Sequence, residues 1–190
     1  MADTDIDLLS NSSGESRMTP THTSIPSYAD PELPPYPAPA AVPPHEGATF
    51  IIRDPQSGLV ITLKDGELGL APANKESAFV DCDDGHGSHW CCIGNKERWL
   101  GFKSAVSGEF IGHNNKKNEN WRFKATVKAH NYWEFFCARQ HLDGGHELLV
   151  KHNNGFRAMQ VGGDLNRELV VAGEGRVGTA WEFLKVYSKI

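Results

Sequence analysis

The chain has 190 residues, 23% of which are charged, and its formal net charge is −5 at pH 7. No apolar run approaches the roughly 18 residues that a membrane-spanning helix needs, so we expect no membrane insertion. The N-terminus is acidic and lacks the basic and apolar regions of a secretory signal, and the four cysteines are too irregularly spaced for a disulfide framework. These features predict a cytoplasmic protein with reduced thiols.

Residues 1–47 differ from the rest of the chain in composition. They hold nine of the eleven prolines, seven acidic side chains and one basic side chain, but no tryptophan, phenylalanine or cysteine. Such a segment cannot bury enough apolar surface to offset the entropy lost on ordering. We therefore predict a disordered, acidic, proline-rich tail over 1–47 and one folded domain over 48–190. The domain is nearly neutral, which gives no support to nucleic-acid binding.

Strand signals dominate the predicted domain, and helical periodicity is almost absent. In chain order the apolar segments are TFIIRD, LVITL, ELGLA, HWCCIG, RWLGFKS, EFIGH, WRFKATV, YWEFF, FCARQH, HELLVKH, FRAMQV and AWEFLKVY. Turns containing Gly58, Gly108 and Gly145 recur between strands, where glycine supplies the positive φ that tight hairpins demand. YWEFF runs directly into CARQH, so no turn signal separates those two predicted strands.

Three tryptophans recur at similar intervals and indicate an internal repeat. Trp90, Trp133 and Trp181 are 43 and 48 residues apart, and each stands in a short apolar run. Twelve short strands in three fourfold units predict an all-β fold, the β-trefoil, in which three hairpins close a six-stranded barrel. The three indole rings are expected to line its shared core. An immunoglobulin-like sandwich also has short strands, but it does not explain a threefold period.

The segments WLGFKSAVSGEFIGH, YWEFF and GGHELL resemble the fascin-like group of β-trefoils. The likeness covers residues 49–187 and resembles a single fascin-type trefoil of the kind common in filamentous fungi. It implies a cytoskeletal protein partner, with actin as the first expectation, but no actin-binding residue can be matched by position. Ricin-type trefoil lectins carry a Q-x-W motif that this sequence lacks, which disfavours galactose binding of that type but leaves a cytosolic lectin open.

Candidate binding residues lie on predicted turns and at the tryptophans outside the threefold pattern. Lys116 and Lys117 stand in the polar turn HNNKKNEN, and His146 ends the turn that begins at Asp143. These turns are candidate contacts for a protein partner, although Lys-Asn turns are also typical of solvated hairpins. Trp99 and Trp121 are candidate binding aromatics. They would instead line a cavity if the protein were a small-molecule-binding or accessory cyclase protein of a biosynthetic pathway.

The segment DCDDGHGSHWCC concentrates potential metal ligands. Cys82, His86, His89 and Cys91 are residue types that bind zinc, but their spacing matches no zinc module, and Cys91 and Cys92 should point to opposite faces of a strand. We therefore predict no metal site and no cofactor. No catalytic motif for hydrolases, metalloproteases or nucleotide-binding enzymes occurs, so the sequence favours a non-enzymatic binding protein.

One motif in the tail points to a second protein partner. Leu33, Pro34, Pro35 and Tyr36 form LPPY within a proline-rich stretch. A segment of the pattern L/P-P-x-Y in the polyproline II conformation fits the aromatic groove of WW domains. Any proline-rich linker can produce such a string by chance, so this partner is a prediction from the motif alone.

Overall fold

The computed structural model describes residues 41–73, 79–80, 87–113, 121–163 and 165–188, with only the backbone at 79, 80, 187 and 188. This part of the chain contains thirteen β-strands and one turn of 3-10 helix at Tyr132–Glu134. The strands are β1 (Thr49–Arg53), β2 (Leu59–Lys64), β3 (Glu67–Pro72), β4 (Phe79–Val80), β5 (His89–Gly94), β6 (Leu100–Ser104), β7 (Phe110–His113), β8 (Phe123–Val127), β9 (Phe136–Gln140), β10 (His146–His152), β11 (Gly155–Gly162), β12 (Glu168–Val171) and β13 (Glu182–Ser188).

Twelve of these strands form three units of four, and β4 is an addition that pairs in parallel with the end of β13. The first and fourth strand of each unit build a barrel in the order β10-β9-β6-β5-β1-β13. Trp181 and His146 close the barrel by exchanging two backbone hydrogen bonds of 2.9 and 2.8 Å. The predicted β-trefoil is therefore confirmed.

The middle strands of each unit form the hairpins β2–β3, β7–β8 and β11–β12, which meet one another. Leu70 N–H donates to Arg167 O at 2.8 Å, which joins the first hairpin to the third. The Arg122 guanidinium lies 3.4 Å from the carboxylate of Glu67 and 3.5 Å from that of Glu168. One arginine thus links all three hairpins.

One continuous apolar core fills the space inside the barrel and under the hairpins. Trp90 and Trp181 are fully buried in it, and their Nε1–H groups donate to the carbonyls of Ile61 (2.9 Å) and Met159 (3.4 Å). These two tryptophans have the core role that the repeat predicts. An indole N–H can be buried at such a site because a backbone acceptor satisfies it.

The third predicted core tryptophan, Trp133, is the exception. It lies half-buried in the 3-10 turn, and the fully buried Phe136 occupies the core in its place. The strand register supports this equivalence, because in each unit the core residue pairs with the first strand of the same unit. The pairs are Trp90 with Phe50, Phe136 with Leu100, and Trp181 with His146. The prediction for Trp133 was wrong, since YWE forms the missing turn and FCARQ is the strand.

Residues 41–47, which the composition assigns to the tail, contact the barrel. Val42 N–H donates to Phe183 O at 3.0 Å, and Gly47 N–H donates to Cys92 O at 2.9 Å.

Among the residues that the structure describes, no helix has the length and apolarity needed to cross a lipid bilayer.

Candidate functional site

An open cleft of about 850 Å³ lies where the third unit meets the first. Its walls are the β1–β2 turn at 54–57, the β9–β10 turn at 141–143 and the loop at 177–180 that leads into β13. Gln160 and Val161 of β11, together with Asn166, complete the lining. Each wall is held by hydrogen bonds of its own.

Asp54 shapes the β1–β2 turn. Its buried carboxylate accepts hydrogen bonds from the backbone of Gln56 (3.1 Å) and Ser57 (3.2 Å), and from the Ser57 hydroxyl (2.6 Å). Ser104 closes the equivalent turn of the second unit, where its Oγ accepts from Val106 and Ser107 N–H. An aspartate or serine here satisfies the turn amides from within.

The β9–β10 turn is a compact loop with two glycines in the left-handed region, Gly144 (φ 91°) and Gly145 (φ 69°). A Cβ on Gly145 would lie 2.7 Å from the Trp181 carbonyl oxygen, so a larger residue could not approach β13 as closely. Asp143 N–H donates to Nδ1 of His141 at 3.0 Å, and the Asp143 side chain is 88% exposed. The turn therefore presents a solvated carboxylate at the cleft.

The third wall, 177–180, is held in place by a hydrogen bond to a buried carboxylate. Oε1 of Glu147 accepts from Gly178 N–H at 2.7 Å, and Oε2 accepts from Arg139 Nε at 2.9 Å. Glu147 is 2% exposed, and burial alone would raise its pKa. The hydrogen bonds from Gly178 and Arg139 and the Arg139 charge outweigh burial, so the pKa of Glu147 lies below its ordinary value.

Thr179 adds a further restraint, because its Oγ1 accepts from Val161 N–H at 2.9 Å. Gly178 is required by space, since a Cβ there would stand 2.5 Å from the Cβ of Ala158. The loop is thus held against β11 and leaves the cleft open.

The neighbouring junction, between the second and third units, is built on the same plan. Asn95 N–H donates to Trp99 O at 3.1 Å, as His141 N–H donates to Gly145 O at 3.0 Å. Trp99 therefore stands where the open cleft has Gly145, and Phe135, directly before Phe136, stands where it has Ala180. We call Trp99, Phe135 and Phe156 the aromatic seam. The Trp99 ring stacks on Phe135 (5.9 Å, 3°) and lies 5.6 Å from the tilted Phe156 ring.

A second, smaller cavity of about 340 Å³ is lined by residues around Trp133, Glu134 and His113. The His113 ring stacks on that of His152 (5.7 Å), and Trp121 meets His152 edge-on at 5.0 Å. Burial lowers the pKa of both histidines, and the charge of Arg157 adds to the effect at His152. Neither nitrogen of the His152 ring has a hydrogen-bond partner on another described residue.

The three candidate residues that the structure describes, Trp99, Trp121 and His146, lie in separate surroundings. Trp99 and Trp121 are half-buried against other rings, and Trp121 also packs on the core. His146 is half-buried in a barrel strand, and burial lowers its pKa. Outside the described residues lie Lys116 and Lys117, as well as Leu33, Pro34, Pro35 and Tyr36.

Sequence reasoning pointed to the turn at Asp143, but it missed Gln160, Asn166 and Thr179. One sequence signal could have indicated the cleft. The third unit has the small residues Gly178 and Ala180 where the second unit has Trp133 and Phe135, so this junction has space that aromatic rings fill elsewhere. Only the corrected alignment of the repeats reveals it.

The cysteine and histidine cluster forms no metal site among the described residues. Cys92 is buried, and burial, with Glu46 and Cys91 adding, raises the pKa of its thiol to about 12. Cys91 is half-buried, with its sulfur 3.6 Å from the Thr49 hydroxyl. Cys82 and His86 of the same segment lie outside the described residues.

No protein-family model matches the sequence, and the search of curated proteins found no match. Solved structures share its architecture. ThreeFoil, a designed threefold symmetric protein, has a TM-score of 0.55 at 9% identity over 72% of this chain and 97% of that one. SeviL, solved bound to asialo-GM1 saccharide, has a TM-score of 0.51 at 14% identity over 74% of this chain and 98% of that one.

The GlcNAcα1-4Gal-releasing endo-β-galactosidase from Clostridium perfringens has a TM-score of 0.54 at 11% identity. The match covers 74% of this chain but 33% of that enzyme, so this chain spans about a third of its length. At such identities these likenesses show the fold alone. They support the β-trefoil, while the resemblance to fascin-like proteins stays a prediction.

Proposed function

We propose that this chain is a carbohydrate-binding protein whose ligand enters the cleft between the third and first units. The observation that carries the proposal is the lining of that cleft, where hydrogen-bonding side chains from three separate segments surround about 850 Å³ of open space. A cleft with a few convergent polar groups is the usual form of a small-ligand site.

The chemistry of the lining suits sugar hydroxyls. Each hydroxyl both donates and accepts a hydrogen bond. Asp143 offers acceptors only, whereas the amides of Gln56, Gln160 and Asn166 offer both donors and acceptors. Among the described residues, no lysine or arginine lines the cleft, and the exposed Asp143 carboxylate would repel an acidic sugar. The lining therefore favours neutral glycans.

The walls of the cleft are arranged before any ligand arrives. Glu147, Thr179 and Asp54 use their own side chains to hold the loop and the turn that face the cleft. A rigid site binds more tightly because less conformational entropy is lost on binding. SeviL, which has a similar fold, was solved with a saccharide bound, and this adds support at the level of the fold.

The proposal is tested by screening the full chain on an array of neutral and acidic glycans, followed by calorimetry with the strongest neutral glycan. Gln160→Ala and Asp143→Ala should each weaken binding about tenfold or more, because each removes a hydrogen-bonding group from the lining. Asn154→Ala, at an exposed turn residue that does not line the cleft, is the matched control and should bind normally. If the chain bound no glycan on the array, the proposal would be refuted.

A protein partner remains a prediction from the resemblance and the tail motif. Cosedimentation with actin filaments would test the former, and pull-down of a WW domain by peptide 30–40 would test the latter. The cytoplasmic location is likewise a prediction from composition.

A further inference from the structure

Three large aliphatic side chains are exposed to solvent on the turns and the loop that border the cleft. Leu142 is 100% exposed and Val177 is 62% exposed, and both line the cleft. Leu165 is 80% exposed and directly precedes Asn166 of the lining. Seven large hydrophobic residues are exposed in the described part of the chain; two of them line this cleft, and a third, Leu165, is the neighbour of a lining residue.

Each of these side chains sits on a turn or loop that hydrogen bonds hold in place. Leu142 lies within the turn closed by His141 N–H and Gly145 O (3.0 Å), and Leu165 lies within the one closed by Asn166 N–H and Gly163 O (3.2 Å). Val177 directly precedes Gly178, which Glu147 holds. The aliphatic groups are therefore presented to solvent at defined positions.

The fold does not require apolar residues at these positions. At the neighbouring junction, Lys96 is equivalent to Leu142, and Tyr132 is equivalent to Val177. The Tyr132 hydroxyl donates to Asn153 O at 2.9 Å, and Lys151 covers its ring at 4.5 Å. Exposed apolar groups clustered beside a polar cleft indicate contact with an apolar part of a ligand.

We infer that the ligand is an amphipathic glycoside, whose sugar occupies the polar cleft and whose alkyl chain lies across Leu142, Val177 and Leu165. The inference rests on the proposed function and deepens it. Because each buried methylene contributes about fourfold in affinity, an alkyl chain that covers the rim should strengthen binding on the order of tenfold or more.

The test compares methyl and octyl β-glycosides of glucose, galactose and N-acetylglucosamine by calorimetry on the full chain, below the concentration at which micelles form. For a sugar that binds, the octyl form should bind at least about tenfold more tightly than the methyl form. The double variant Leu142→Ser/Val177→Thr should bring this ratio close to one. Leu165→Ser should lower the ratio by less than the double variant does.

Val106→Thr is the matched control, because Val106 is 52% exposed on the β6–β7 turn and does not line the cleft. It should keep the full ratio. Phosphatidylcholine vesicles with and without glucosylceramide and galactosylceramide form a second arm. Capture by the glycolipid vesicles identifies a membrane source of the ligand, and binding of soluble glycosides alone identifies a free one.

Equal affinity for the methyl and octyl forms would overturn the inference and leave the proposed function standing, as would a preference that survives in the double variant. If no glycoside bound in calorimetry and no glycan bound on the array, both the inference and the proposed function would be overturned.

Discussion

At the scale of single residues, Asp54 is the side chain whose role the repeat makes easiest to test. Asp54→Ala leaves two turn amides without their acceptor and should lower the free energy of unfolding by about 1–2 kcal/mol. Asp54→Ser should cost clearly less, because Ser104 closes the equivalent turn with a hydroxyl. Chemical denaturation of both variants measures the difference. Equal losses would show that the carboxylate does more than close the turn.

The core position of the second unit provides a second prediction. Phe136 is fully buried, whereas Trp133 is half-buried between the rings of Tyr132 and His113. Phe136→Ala should cost about 3–5 kcal/mol of unfolding free energy, and Trp133→Ala about 1–2 kcal/mol. Thermal or urea denaturation would decide the order. A larger loss at Trp133 would restore the tryptophan pattern as the true core repeat.

Trp133 and Phe136 also show how far the buried core residues can be predicted from the sequence. Trp90 and Trp181 were correctly predicted as core, because a tryptophan stands at or next to the start of the fourth strand in the first and third units. The second unit places phenylalanine there and puts its tryptophan three residues earlier. Since both residues are large and apolar, their order along the chain does not say which one is buried.

At the scale of elements, the loop at 177–180 depends on Glu147. Glu147→Gln removes the charge that strengthens the bonds to Gly178 and Arg139, and the loop should open more often. We expect amide exchange at Gly178 to become about tenfold faster or more, with weaker glycan binding. Hydrogen exchange followed by NMR measures the change at that amide.

Glu174→Gln is the control for that experiment. Glu174 also pairs with an arginine, Arg157, at 3.2 Å, but its side chain is 91% exposed, and exposed pairs contribute little. Exchange at Gly178 should be unaffected by this substitution. If both substitutions had the same effect, general loss of charge and not the buried contact would be responsible.

Most strands were predictable because alternating apolar residues and glycine turns mark them. β12 was missed because ELVV is short and follows a polar, glycine-rich stretch, so it resembles a loop until β11 provides its partner. The cleft escaped prediction for a different reason. Its first wall, 54–57, is more than 80 residues from the other two, and its opening depends on which side chains are small.

At the scale of the whole molecule, stability should depend on pH through four buried or half-buried histidines. Burial lowers the pKa values of His113, His130, His146 and His152 from the ordinary 6.5. The unfolded chain therefore binds protons more readily, so stability is full above about pH 6.5 and falls as the pH drops below it. Glu134 acts in the opposite direction, because burial raises its pKa.

Denaturation midpoints between pH 5 and 7.5 would measure this dependence. His152→Phe should flatten the profile, because the substitution removes an uncharged buried imidazole whose nitrogens have no partner on another described residue. A profile that is flat in the parent chain, or unchanged in the variant, would show that these histidines do not titrate with unfolding.

We propose that the junction between the third and first units binds glycans, whereas the aromatic seam, built on the same plan, does not. The most direct measurement is an NMR titration of the full chain with the strongest neutral glycan found on the array. We predict chemical-shift changes at the backbone amides of Asp143, Gln160 and Thr179 and none at Trp99 or Phe156. Changes centred on the aromatic seam, with the cleft amides unmoved, would contradict the claim.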